Sequence, residues 1–115
     1  MPIPYAENLH VPPVKLDAYL LDPDHPFGGG KAEWFERQGY HRGNADRLAS
    51  DLIELARSSE NWLSVTTRFG VKYAVRGSVE TPRGRKVRLT TIWFIDTGRT
   101  VPRLITAYPG KEVET

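Results

Sequence analysis

The sequence predicts an α+β fold in which N-terminal helices pack on one face of a four-stranded antiparallel β-meander. Apolar residues recur with a helical period up to about Arg57, and with a period of two from Trp62 onward. Turn-forming pairs then cut the second half into four segments, and the short links between them favour antiparallel pairing. At 115 residues the chain matches one ordinary domain, 1–115, so a single core has to serve both halves.

Residues 1–14 carry Pro2, Pro4, Pro12 and Pro13, whose fixed φ and missing amide hydrogens suit an extended lead-in draped over the surface. Leu16, Tyr19 and Leu20 fall at i, i+3, i+4 and predict a first helix over 15–22 that Pro23 stops. The loop from Asp22 to Gly30 is dense in proline and glycine. A second helix over 31–38 follows, with Ala32, Trp34 and Phe35 apolar and Gly39 as its stop. Asn44 is placed to cap a third helix reaching about Arg57, whose buried stripe is Leu48, Leu52, Ile53, Leu55 and Ala56. The helical part therefore spans 15–58. Breakers at Phe69-Gly70, Thr81-Pro82-Arg83-Gly84 and Asp96-Thr97-Gly98 predict strands near 62–68, 71–80, 86–95 and 102–108, a sheet over 62–108.

Hydrophobic residues at 39% and charged residues at 26% fit neither a disordered nor a membrane class. With no cysteine there is no disulfide framework and no thiolate chemistry, which suits a reducing compartment. The first ten residues hold prolines and an acid where a secretion signal needs basic residues and an apolar run. A cytoplasmic protein without a membrane partner is expected. Asp22, Asp24 and His25 are close in sequence but interrupted by prolines, and His10 and His41 keep no ligand spacing with them, so no metal and no cofactor is expected.

The net charge is only +2, yet it is unevenly spread. Residues 1–67 hold six Lys/Arg against ten Asp/Glu, whereas 68–103 hold nine against two. A basic sheet half suggests an anionic partner, nucleic acid or an acidic protein; equally, edge strands carry charge to resist aggregation. Parity sets Val71, Tyr73 and Val75 on one face of the second strand and Lys72 and Arg76 on the other. In the third strand Val87, Leu89, Trp93 and Ile95 oppose Lys86 and Arg88, so the basic groups share the face away from the helices, although Ile92 and Phe94 lie there too.

Two segments can carry chemistry. In His25-Pro-Phe-Gly-Gly-Gly-Lys31, Gly28, Gly29 and Gly30 lead into a helix N-terminus, where free amides and the dipole suit an anion and Lys31 adds its charge. The spacing is not that of a P-loop, and a plain connector with solvated His25 and Lys31 has the same composition. In the last strand Arg103 can clamp a phosphate, and Thr106 and Tyr108 can donate hydrogen bonds, although these types are also ordinary strand formers. Aromatics Trp34, Trp62, Trp93 and Tyr73 fall on core positions by pattern.

Three stretches carry a resemblance: His25-Pro-Phe-Gly-Gly-Gly-Lys31-Ala-Glu-Trp-Phe35-Glu-Arg-Gln-Gly-Tyr40, Gly70-Val-Lys-Tyr-Ala-Val-Arg-Gly77, and Trp93-Phe-Ile-Asp96 with Pro102-Arg-Leu-Ile-Thr-Ala-Tyr-Pro109. Together they resemble a bacterial family of domains of unknown function, over nearly the whole chain. Such domains are similar to toxin-type ribonucleases of the barnase, EndoU, colicin and RelE group, with helices before a four-stranded antiparallel sheet. The resemblance implies metal-independent cleavage of RNA, tRNA included, by a toxin of a toxin–antitoxin or polymorphic system with a cognate antitoxin as partner. It implies His25 as acid or base, Lys31 with Arg88 or Arg103 as cations, Thr106 and Tyr108 as donors, and Arg76, Arg88 and Arg103 as substrate-binding groups. Strand parity puts Thr106 and Tyr108 opposite Arg103, so these groups converge only if the last strand twists or bulges. The alternatives are a non-catalytic nucleic-acid binder on the same basic face and a protein-interaction domain of antitoxin or immunity type.

Overall fold

The computed structural model describes residues 1–25 and 29–110. Helix α1 (Pro13–Lys15) runs straight into a π-helical segment, Leu16–Leu20; α2 (Gly29–Arg37) and α3 (Ala45–Ser58) follow. Strands β1 (Asn61–Thr67), β2 (Gly70–Glu80), β3 (Lys86–Asp96) and β4 (Arg103–Pro109) then form one antiparallel sheet in sequence order. The fold is thus α+β with N-terminal helices and a four-stranded meander, as the two hydrophobic periods predict. No helix among the described residues is long and apolar enough to cross a membrane.

Differences in detail have local causes. Pro13 opens the first helix, because a proline at the first helical position gives up an amide that would be unbonded anyway. That helix then widens, Leu21 N–H reaching back five residues to the Leu16 carbonyl at 2.8 Å. Asn44 does precede α3, but its side chain does not cap it. It accepts from the His41 amide at 2.8 Å and donates to the Gly39 carbonyl at 2.9 Å, tightening the preceding turn.

The lead-in is not a surface drape. Ile3, Ala6, Leu9 and Val11 are buried in the same core cluster as Leu48, Leu52, Tyr73, Val75, Trp93 and Leu104. His10 bridges β4 in parallel, donating to the Pro102 carbonyl and accepting from the Leu104 amide, both at 2.9 Å. One edge of the sheet is covered this way, which keeps it from pairing with other chains. Helix α3 lies close on β2: a Cβ at Gly77 would sit 2.8 Å from Leu55 Cγ, so the helix packs there because position 77 has no side chain. Trp93 and Tyr73 are core residues, and Trp34 and Trp62 pack partly buried against that core.

A polar brace joins α3 to the chain before it. The buried Tyr40 hydroxyl donates to Asp51 Oδ2 at 2.6 Å, Arg47 Nε donates to the same oxygen at 3.0 Å, and Arg47 Nη2 reaches the Glu80 carbonyl at 3.0 Å. Burial first, then the Asp51 carboxylate, pushes the Tyr40 phenol well above the ordinary tyrosine range, with Arg47 opposing. A raised folded-state pKa contributes stability below the unfolded value and loses it as pH climbs past that value. Wild type should therefore weaken above about pH 10, the ordinary tyrosine value. Tyr40→Phe should cost about 1.5–3 kcal/mol at neutral pH and flatten that alkaline decline, measured by urea unfolding across pH. An unaltered alkaline slope in the variant would show that Tyr40 does not control it.

Candidate functional site

Three of the groups expected from sequence, His25, Lys31 and Thr106, meet at a residue that sequence reading assigns to the core, Tyr19. Its turn of helix is the π-helical one, and the extra residue per turn leaves Leu16, Leu20 and Leu21 buried while Tyr19 is half-buried. The turn Asp22-Pro23-Asp24-His25 follows at once. Pro23 supplies the fixed φ, the Asp22 carboxylate accepts from the Asp24 amide at 2.9 Å, and the His25 amide reaches the Asp22 carbonyl at 3.3 Å. This turn brings the His25 ring edge-on to Tyr19, with centroids 4.9 Å apart. Arg42 pins the same stretch by donating to the Asp17 carbonyl at 2.8 Å and pairing with Asp22 at 3.6 Å.

Lys31, in the first turns of α2, donates from Nζ to the Tyr19 hydroxyl at 2.7 Å. Thr106 Oγ1 of β4 lies 3.2 Å from the same hydroxyl. Lys31 Nζ and Lys15 Nζ also stand 5.0 and 5.3 Å from the Tyr19 ring centroid. Burial is the largest single influence on the phenol and raises its pKa. The hydrogen bonds to Lys31 and Thr106 and the charges of Lys31 and Lys15 outweigh it, holding the phenol below the ordinary tyrosine range. His25, Lys31 and Thr106 are each half-buried, so the cluster stays open to solvent.

Thr106 reaches this cluster because β4 bulges. Ile92 pairs with Thr106 but Trp93 pairs with Leu104, leaving Ile105 as an extra residue. The bulge reverses the parity expected from sequence. Leu104 and Ala107 are both buried, while Arg103, Thr106 and Tyr108 pair with Phe94, Ile92 and Thr90, which share one face of β3. The three β4 groups therefore stand on one side of the sheet, not on opposite sides.

They do not all join Tyr19. Arg103 pairs with Asp96 through Nε and Nη2 at 2.9 and 3.1 Å and stacks over Phe94 at 5.4 Å. That pairing holds the Asp96 carboxyl below the usual range. Tyr108 is exposed and lies one row further along the strand. Arg76 and Arg88 are exposed on the face away from α3, in a separate cleft. Gly29 opens α2 and Gly30 follows; Gly28 lies outside the described residues.

This arrangement, N-terminal helices on a meander with a polar cluster where the first helices meet β4, defines the class of domain. Residues 2–111 match the model of the family described as Domain of unknown function (DUF6883), and the chain belongs to that family. No curated protein matches it in sequence. Among solved structures, a chain of the "Contact-dependent growth inhibition toxin - immunity protein complex from Klebsiella pneumoniae 342" is similar, with a TM-score of 0.72 and 17% identity. The similarity covers 94% of this chain and 98% of that one. At that identity the likeness is one of fold.

Proposed function

We propose that the protein is a toxin-type, metal-independent endoribonuclease acting at Tyr19, His25 and Lys31. The observation that carries the reading is the convergence of an imidazole, two ammonium groups and a hydroxyl on one phenol whose pKa is depressed. A phenol is populated with its proton at neutral pH, and a lowered pKa makes that proton easier to give. In this reading His25 takes the proton of the ribose 2′-hydroxyl. The 2′-oxygen attacks phosphorus, and Lys31 and Lys15 stabilise the charge that develops on the phosphorane. The bond from phosphorus to the 5′-oxygen breaks as Tyr19 protonates that oxygen, and Lys31 stabilises the phenolate left behind. The products are a 2′,3′-cyclic phosphate and a free 5′-hydroxyl, and solvent returns the proton from His25 to Tyr19. Thr106 holds the phenol in place. The fold shared with a chain of a toxin–immunity complex supports a role in such a system.

The test is purified protein with tRNA and total RNA, with product ends identified by mass spectrometry. Wild type should leave cyclic phosphates, and Lys31→Ala or His25→Ala should lower the rate by about 100-fold or more while unfolding at the same temperature. Intact RNA with the wild-type chain would end the ribonuclease reading.

A second reading, a protein-interaction domain of immunity type, is favoured by β1. Its Leu63 and Val65 are 73% and 54% exposed, and Phe69 just beyond it is 66% exposed. An exposed apolar edge strand is a template for docking. A chain that cuts no RNA but protects cells from a co-expressed toxin would establish this reading instead.

A further inference from the structure

The sheet face away from α3 carries a second cationic feature that the cluster at Tyr19 does not use. A cleft of about 240 Å³ is lined by Asn61, Arg76, Ser78, Arg88 and Thr90, with Gly110 at one end. Its shape follows from register. Arg76 pairs with Thr90 and Ser78 with Arg88, so the two arginines are diagonal neighbours on one face. Diagonal positions of an antiparallel pair lie about 7 Å apart, within reach of long side chains. Gly110 closes the end by donating its amide to the Arg88 carbonyl at 2.9 Å.

Among the described residues neither guanidinium enters an ion pair or hydrogen bond, in contrast to Arg42, Arg47 and Arg103, which are each paired with an aspartate. Among the described residues of β2, Glu80 lies a row further on than Ser78 on this face, opposite Lys86. Two like charges side by side repel, and an anion between them replaces one repulsion with two charge-assisted contacts. Guanidinium forks match phosphate oxygens, and the Ser78 hydroxyl and Asn61 amide add donors.

Register also joins the cleft to Tyr19. Asn61, Arg76, Thr90 and Tyr108 form one row across all four strands. Tyr108, 39% exposed, is two strand spacings from Arg76, about 10 Å, and two residues from Thr106, about 7 Å. Cations at both ends with an exposed ring between them suit a nucleic-acid strand, whose phosphates take the cations and whose bases stack on aromatic rings. We propose that Arg76 and Arg88 form a phosphate subsite for an RNA backbone that runs from Tyr19 over Tyr108. The proposal rests on the ribonuclease reading for the direction of the strand, and its test separates the two.

Binding of a fluorescent 2′-deoxy oligonucleotide, which lacks the attacking hydroxyl, is measured by anisotropy across a salt series. For the Arg76→Gln, Arg88→Gln double variant, affinity should fall, and the slope of log K on log salt should shrink by about 0.7 per lost phosphate contact. A charge-matched Arg83→Gln, Arg99→Gln control should change far less, and Arg→Lys at both positions should recover most of the slope. The double variant should still cut a dinucleotide while losing activity on long RNA. Unchanged binding and slope in the double variant overturn the subsite, whether or not wild type cleaves. Equal capture of poly-glutamate, lost in the same variant, overturns the nucleic-acid assignment in favour of an acidic protein. A wild type that binds with the expected slope but cuts nothing leaves the subsite standing and removes the ribonuclease reading.

Discussion

Tyr19→Phe is expected to reduce RNA cleavage by about 100- to 10,000-fold while leaving oligonucleotide binding close to wild type. The substitution keeps the ring that meets His25, Lys15 and Lys31 and removes only the oxygen shared by Lys31 and Thr106. In the proposed reaction that oxygen gives its proton to the departing 5′-oxygen, so the loss should fall on kcat and leave KM nearly unchanged. The pH profile gives a second reading. The wild-type rate should fall on the alkaline side as the phenol, held below the ordinary tyrosine range, loses its proton. That limb should be absent from the residual activity of the variant. The effect on stability has the opposite sign from that of Tyr40. A depressed folded-state pKa contributes stability above the unfolded value and loses it as pH falls through the folded value, so Tyr19 adds little by ionisation at neutral pH. The variant should therefore unfold near the wild-type temperature at pH 7. An unaltered cleavage rate in Tyr19→Phe would sink the assignment of Tyr19 as acid.

The sheet was legible because its signals are local. A period of two between Gly- and Pro-containing turns fixes strand limits to within a residue or two, as at Gly70 and Asp96. The helices were legible from their stripes, α3 above all, since Leu48, Leu52, Leu55 and Ala56 recur at helical spacing. What escaped was set by long-range packing. Prolines in 1–14 announce extended chain, but nothing local says that Ile3 and Leu9 enter the core or that His10 bridges β4. The bulge at Ile105 has no glycine to mark it, so simple alternation placed Thr106 on the wrong side of Arg103. Tyr19 was hidden by its own pattern: at i+3 from Leu16 it reads as one more core residue. The signal available was its hydroxyl, since a tyrosine in an apolar stripe needs a partner for its polar end. Lys31 and Thr106 supply that partner from 12 and 87 residues away, a separation no window of sequence can span.

Removing the indole at the centre of the sheet should have the largest effect on stability. Trp93 is fully buried on β3, opposite Leu104 and next to the bulge that carries Thr106. Its Nε1 donates to Thr91 Oγ1 at 2.8 Å, and that hydroxyl in turn donates to the Val75 carbonyl at 3.1 Å, a buried chain linking β3 to β2. Trp93→Ala should cost about 3–5 kcal/mol, a large part of the roughly 5–15 kcal/mol that holds a domain together. Thr91→Val conserves volume and isolates the polar part: it leaves a buried indole N–H without an acceptor, at about 1–3 kcal/mol. Trp93→Phe removes the donor instead. Combined with Thr91→Val it should cost less than the two singles added, because each alone strands one partner of the same hydrogen bond. Urea unfolding of the wild type, Thr91→Val, Trp93→Phe and the double variant supplies the cycle. Strict additivity would show that the Thr91 hydroxyl is not what satisfies Trp93. Because Leu104 packs where the bulge begins, Trp93→Phe also tests the link from core to site. A domain that stays folded but cleaves RNA more slowly would mean that the indole sets the path of β4, and with it the distance from Thr106 to Tyr19.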